Sequence, residues 1–200
     1  MFKNFIELTK VRIGFLVLIT TIIGFYLGSQ GEINYSLLFY TVLGTLLSST
    51  GSSVMNNVIE SETDKLMDRT KSRVLPTNKI SLVTAKVLGV SFIFIGLFIL
   101  YYKVNLLTCI LSFSTIVLYL FFYTPLKRKS WLNTSIGAVP GAIPPLGGWT
   151  AATNNLEWGG VAVFLILFFW QHPHFYAIAY MYKEDYKKAG LQMLPVIDDG

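Results

Sequence analysis

Six apolar stretches recur along this chain, at roughly 11–28, 36–58, 82–102, 105–123, 133–152 and 159–181. Each is near the ~20 residues that an α-helix needs to cross the hydrocarbon core of a bilayer. A segment in lipid must satisfy its backbone hydrogen bonds internally. The expected fold is therefore all-α, a polytopic transmembrane helical bundle. Composition agrees. Charged residues make up 14% of the chain and mean hydropathy is +0.56, against about 25% charged residues in a soluble domain. Lys3, Lys10 and Arg12 ahead of an apolar run could mimic a signal peptide, but no A-x-A-like site follows, so the run reads as a retained first helix. Cys109 is the sole cysteine, which excludes a disulfide within the chain and leaves the redox compartment open. No soluble domain, linker or clean repeat interrupts the series, and residues 1–200 read as one membrane-embedded domain.

The segments between the spans sort by charge. Fifteen of the 16 Lys and Arg fall before the first span or after spans two, four and six, and only Lys103 lies on the other side. The positive-inside rule places that basic side in the cytoplasm. Short loops at 29–35 and 103–104 predict helical hairpins. The fifth stretch, "NTSIGAVPGAIPPLGGWTAA", holds three prolines and four glycines. It predicts a kinked or broken helix, tolerated at membrane depth only when buried in protein or lining a cavity.

Span two runs directly into "NNVIESETDKLMDRT", residues 56–70. Asn56, Glu60, Asp64 and Asp68 recur at intervals of four. Four residues turn a helix by ~400°, so these side chains share one face if the helix continues, with Glu62 pointing elsewhere. Like charges at this spacing repel, and carboxylates at this depth are costly unpaired. Two compensations are open. One is ion pairing to Lys65, Arg69, Lys71 and Arg73 at a wet interface. The other is Mg²⁺, a hard cation that takes one or two carboxylates and bridges substrate phosphates. Acids interleaved with cations suit a metal–diphosphate site, and a diphosphate at a membrane mouth implies a substrate with an apolar tail.

Elsewhere the signals are weaker. "YTPLKRKSWLN" (123–133) ends span four with a proline and a basic triplet, of which Lys127 and Arg128 could reach a phosphate at the same mouth while Lys129 reads as an anchor. "WQHPHF" (170–175) puts His172 and His174 in the last span, spaced by two and so on different helix faces. Lys183, Glu184 and Asp185 follow as a patch that an amphipathic interfacial segment would also show. The aromatic residues of spans four and six are expected in the core or against lipid.

Together these stretches resemble the UbiA superfamily of intramembrane prenyltransferases, and more closely its protohaem IX farnesyltransferase branch. The resemblance is carried by "NNVIESETDKLMDRTKSRVLP" (56–76), similar to the Asn-x-x-x-Asp-x-x-x-Asp motif followed by Met-x-Arg-Thr-x-x-Arg-x-Leu-Pro. It is carried further by "YTPLKR" (123–128), "GAIPPLGGW" (141–149), "WQHPHF" (170–175) and "DYKKAGLQMLPV" (185–196), in the family's order. There are departures. Glu60 stands where the family has aspartate, and Val11 replaces the proline of Lys-Pro-Arg. His172 occupies a position that often holds methionine, and Ala189 stands four residues after Asp185 where other superfamily members have an acid. The family fold has nine helices, of which about six are expected here.

The resemblance implies transfer of a farnesyl group from farnesyl diphosphate to a vinyl group of haem B, giving haem O for haem-copper oxidases. It implies Mg²⁺ on Asn56, Glu60, Asp64 and Asp68, and Arg69, Arg73, Lys127 and Arg128 on the remaining diphosphate charge. Asp185, with Lys183, would form the opposite wall. His174 would touch haem, at its iron or a propionate, or would simply pack. The implied setting is a bacterial cytoplasmic membrane. A downstream haem-modifying enzyme or oxidase assembly factors are the possible protein partners, and no nucleic acid is expected. Two other readings remain at this stage: a prenyltransferase with an aromatic acceptor of quinone or chlorophyll type, and a transporter or scaffold using the polar stripe as a permeation path.

Overall fold

The computed structural model describes residues 2–198, and every regular element among them is helical. An amphipathic α1 (Phe2–Thr9) leads into α2 (Val11–Gly28). Between them Lys10 takes a left-handed conformation, φ 50° and ψ 48°, an uncommon choice for a residue with a long side chain. Next come α3 (Tyr35–Ile59), capped by the Asn34 side chain on the Leu37 N–H, and a single turn, α4 (Ser61–Asp64). The Ser81 hydroxyl caps α5 (Leu82–Ile99), which runs on as a π-helical turn, Leu100–Val104. Asn105 caps α6 (Leu106–Val117), which also widens into a π stretch, Leu118–Tyr123, before the short α7 (Thr124–Leu126). The two long helices that follow are α8 (Asn133–Thr153) and α9 (Trp158–Met181). Two short helices, α10 (Lys183–Lys188) and α11 (Leu194–Ile197), close the described chain.

The six predicted spans are thus six long helical units, with bounds within a few residues. Five of them are long and apolar enough to cross a membrane. The sixth, α8, is less apolar and sits inside, packed on α2, α3, α6 and α9. It is not broken. A single helix carries Pro140, Pro144 and Pro145, with twelve of its 21 residues buried. The Gln171 amide of α9 adds a donor to the Ala138 carbonyl at 3.3 Å, and burial in protein is what makes the prolines tolerable at this depth.

Small residues let the helices approach. A Cβ on Gly24 would lie 1.9 Å from the Pro145 carbonyl oxygen, and one on Gly148 2.0 Å from that of Thr21. Where α3 meets α5, a Cβ on Gly96 would lie 2.5 Å from the Ser48 nitrogen. Such contacts replace the hydrophobic drive that helices lack toward one another in lipid. Large apolar side chains accordingly face outward, among them Phe15, Phe94, Phe98, Phe121, Ile166 and Phe169.

All four basic segments gather at one end of the bundle. The Lys10 ammonium donates to Asn56 Oδ1 at 3.0 Å, the Asp185 carboxylate accepts from the Arg69 N–H at 3.1 Å, and the Gln192 N–H donates to the Lys127 carbonyl at 2.7 Å.

Candidate active site

A cavity of about 970 Å³ opens at this basic end and runs down between α2, α3, α6, α8 and α9. Its mouth is built around the end of α3. Asn56 is 1% exposed and anchored from two sides. Its Nδ2 donates to the Thr124 hydroxyl at 3.1 Å, and Thr124 in turn donates to the Tyr119 carbonyl five residues back at 2.8 Å. That i−5 contact belongs to the π stretch, a feature that often marks functional sites in helices. With its nitrogen committed to Thr124, Asn56 presents its oxygen to Lys10.

Helix α3 stops at Ile59, so the predicted stripe does not continue as one helix. Glu60, which bridges α3 and α4, pairs with Lys127 at 2.7 Å, both side chains 16% exposed. Burial opposes the charge of Glu60, but Lys127, with help from Lys10 and Asn56, holds its carboxyl below the usual range. Burial likewise opposes the Lys127 charge. Tyr123 and Glu60 override it and keep the ammonium above its ordinary value. Lys127 also lies 4.5 Å above the Tyr123 ring, a cation–π contact. Asp64, its side chain 2% exposed, accepts from Arg73 at 2.9 Å. The Lys10 ammonium is pushed down to about 8, first by burial and then by the Arg73 charge, with Glu60 opposing.

Asp68 parts from this group. The loop turns after Asp64, and the Asp68 side chain is 56% exposed, paired with Lys188 at 2.6 Å and Lys71 at 2.5 Å. These two lysines hold its carboxyl down at about 2. Asn56, Glu60 and Asp64 line the cavity; Asp68 does not. The physical reason is the helix end: once α3 terminates, spacing by four no longer implies a common face. Glu62 is exposed and pairs with Lys65 at 2.7 Å, as a solvated residue should.

The other predicted residues divide similarly. Arg69, Arg73, Lys127 and His174 line the cavity, while Arg128, Lys183 and Asp185 do not. Arg128 instead donates to the hydroxyl of Thr63, which does line the cavity. Asp185 accepts from the backbone N–H groups of Asp68 (3.2 Å) and Arg69 (3.1 Å), and so fastens α10 to the 60–80 loop. Arg69 completes that joint with its guanidinium 4.8 Å from the Tyr182 ring. His174 stacks on Trp170 at 4.9 Å, whereas His172 bonds to the Phe168 carbonyl and Ser135.

Several lining residues escape sequence reasoning. Lys10 reads as an anchoring charge, yet the left-handed break before α2 turns it onto Asn56. Tyr119 and Tyr123, expected in the core or against lipid, stack on one another at 5.6 Å and face the cavity. Tyr186, whose hydroxyl burial pushes up, and Leu191 and Met193 close the mouth from the α10–α11 side. Only "YTPLKR" carried a hint of Tyr123. The π register that aims it is not readable from a pattern.

Hard oxygen donors at the mouth suit a magnesium ion shared with a ligand: two carboxylates and an amide oxygen, with the rest supplied by phosphate and water. They do not form an all-protein metal cage, and no group of three or more His, Cys, Asp or Glu with metal-binding geometry occurs among the described residues.

Comparison with known proteins speaks to family and fold. Residues 17–199 match the UbiA prenyltransferase family. A protoheme IX farnesyltransferase of Solibacter usitatus (strain Ellin6076) is 42% identical over 205 residues, covering 98% of this chain and 70% of the relative. One from Aquifex aeolicus (strain VF5) is 43% identical over 198 residues, covering 97% and 67%. The chain therefore spans about two thirds of the length of these relatives. Among solved structures, a digeranylgeranylglyceryl phosphate synthase superposes with a TM-score of 0.83 at 21% identity, over 98% of this chain and 69% of that one. A UbiA homologue from Archaeoglobus fulgidus bound to DMAPP and Mg²⁺ gives 0.77 at 19% identity, over 97% and 69%. At these identities the structures speak for the fold alone.

Proposed function

The chain belongs to the UbiA prenyltransferase family, and on that premise we propose how it works: it is a multi-pass membrane transferase of the protohaem IX farnesyltransferase kind, passing a farnesyl group from farnesyl diphosphate to a vinyl group of haem B. The observation that carries the reading is the mouth itself. One buried carboxylate, one partly buried carboxylate and one amide oxygen stand among Lys10, Arg73 and Lys127 at the mouth of a cavity of about 970 Å³.

Asn56, Glu60 and Asp64 would hold Mg²⁺, which supplies electrophilic stabilisation of the diphosphate when bound. Lys127, Arg73, Lys10 and Arg69 take up the remaining negative charge as the allylic C–O bond ionises. Being fixed beforehand by ion pairs and by the Thr124–Asn56 bond, they need little reorganisation in the transition state. Tyr119 and Tyr123 line the cavity and would lend aromatic surface to the developing allylic cation. Leu191, Met193 and Tyr186 keep bulk water from the reacting end. His174, stacked on Trp170, is the residue assigned to haem. Asp68 and Asp185 act at one remove, by joining the loops that carry Arg69. The basic mouth faces the cytoplasm of a bacterial membrane, by the positive-inside rule, and product leaves toward a haem-modifying enzyme or oxidase assembly factors.

Membranes carrying the full-length protein, given haem B, farnesyl diphosphate and Mg²⁺, should yield a farnesylated haem by mass spectrometry. Chelation with EDTA should stop the reaction and Mg²⁺ should restore it. Farnesylation that is indifferent to EDTA would remove the metal; farnesylation of an aromatic acceptor instead of haem would remove the acceptor.

A further inference from the structure

Helix α8 starts at the mouth. The Asn133 amide donates to the Gln192 carbonyl at 2.9 Å, and the Gln192 N–H donates to the Lys127 carbonyl at 2.7 Å. From there α8 descends beside the cavity, and two of its glycines make room for side chains of other helices. Gly137 admits the Tyr123 ring: a Cβ there would lie 2.5 Å from Cδ2. Gly141, one turn or about 6 Å further from the mouth, admits the Gln171 amide of α9: a Cβ there would lie 2.0 Å from Oε1. All four residues line the cavity. Gln171 is 6% exposed, and its amide is held one way round. Its Nε2 donates to the Ala138 carbonyl at 3.3 Å and to the Leu167 carbonyl at 3.1 Å, so a reversed amide would set oxygen against two oxygens. Its Oε1 accepts no hydrogen bond from the described residues, yet it is not sealed off as Ser52 Oγ and Asn57 Oδ1 are. Around it Pro140, Ile143, Pro144 and Leu167 make the wall apolar. A buried carbonyl oxygen left unused in such a place is costly.

We propose that Gln171 Oε1 is a catalytic group that stabilises the allylic cation. The inference rests on the prenyl-transfer reading. A lone pair at this place can meet a hydrogen-bond donor or a positive charge. A farnesyl tail carries no donor, and neither does the vinyl edge of haem. The reaction itself makes the charge. The C1–O bond breaks, both its electrons leave on the diphosphate, and C1 and C3 of the farnesyl group share the positive charge. The vinyl π pair of haem then closes the new bond to C1. With the diphosphate held at Lys127 and Arg73, these carbons fall at the turn of α8 between Tyr123 and Gln171. The negative end of a fixed amide dipole is strengthened there by its apolar surroundings and needs no reorganisation. Gln171 forms no bond and moves no proton in this step.

The test uses the full-length protein and two unreactive ligands, each with Mg²⁺. One is an ammonium mimic of the farnesyl cation, a tertiary amine at C3 given together with inorganic diphosphate. The other is farnesyl thiolodiphosphate, whose tail is uncharged. Gln171→Met keeps the length of the side chain and removes the oxygen. It should weaken binding of the ammonium mimic about tenfold and leave farnesyl thiolodiphosphate within about twofold. In turnover it should lower kcat about 10²-fold at unchanged KM for farnesyl diphosphate. Gly141→Ala keeps Gln171 but drives its Oε1 aside, and should produce the same selective loss. In either variant, equal weakening of both ligands, or of neither, overturns the proposal. Neither ligand needs haem, so the cation site is tested whatever the acceptor is. A parent protein that does not bind farnesyl thiolodiphosphate removes the prenyl-transfer reading, and this inference falls with it.

Discussion

Asp64 and Asp68 lie one helical turn apart in sequence and belong to two different regions of the molecule. Asp64 is in the mouth of the cavity, 2% exposed, with one partner, Arg73. Asp68 is in the outer joint between the 60–80 loop and α10, 56% exposed, with two lysine partners. Number of partners is thus a poor guide to importance. A buried carboxylate that loses its charge leaves a guanidinium uncompensated. An exposed one gives up a contact that solvent and salt already weaken. On the proposed function the inner region would hold the chemistry, whereas the outer one ties the 60–80 loop to α10.

Substitutions that separate the two regions sharpen this contrast. Asp64→Asn in the full-length protein should lower farnesyl transfer by about 10²–10³-fold, the cost of removing one preorganised electrostatic element from a sheltered site, with membrane insertion intact by protease protection. Glu60→Gln should cost about 10–100-fold and leave the Lys127 ammonium buried without its carboxylate. Full activity in both variants would undo the inner site. Lys10→Met should raise KM for farnesyl diphosphate more than it lowers kcat, by about tenfold, because the left-handed break aims that ammonium at Asn56 rather than at lipid. Steady-state kinetics in detergent would show the opposite split if Lys10 only anchors α1.

The smallest effect belongs to the outer joint. Asp68→Asn should change transfer by less than about twofold, in line with an exposed ion pair. Its carboxyl is held at about 2 in the folded chain, against 3.8 ordinarily. Folded pKa is depressed, so the stabilisation is complete above 3.8 and disappears as pH falls through about 2. A carboxyl ¹³C titration that places the Asp68 midpoint near its ordinary value would show that Lys188 and Lys71 do not hold it. A loss of activity in Asp68→Asn as large as that in Asp64→Asn would erase the distinction between the regions.

The sequence determined the bundle. Apolar stretches of bilayer length force helices, because lipid offers the backbone no other partner, and fifteen basic residues on one side set which ends come together. It also put Asn56, Glu60 and Asp64 at the same end of the bundle as Arg73 and Lys127, since the motif and the charges lie at span ends, but the same reading put Asp68 and Arg128 in that mouth too. Only the tertiary structure decided the rest. It ended α3 at Ile59, so that Asp68 swung out to Lys188 while Asp64 stayed inside. It turned Lys10 inward through one left-handed residue, aimed Tyr119 and Tyr123 through a π stretch, and kept α8 whole despite three prolines. The physical reason is common to all of these. Spacing fixes a shared face only while one helix lasts, and where a helix ends, widens or survives its prolines depends on neighbours that lie far away in the chain.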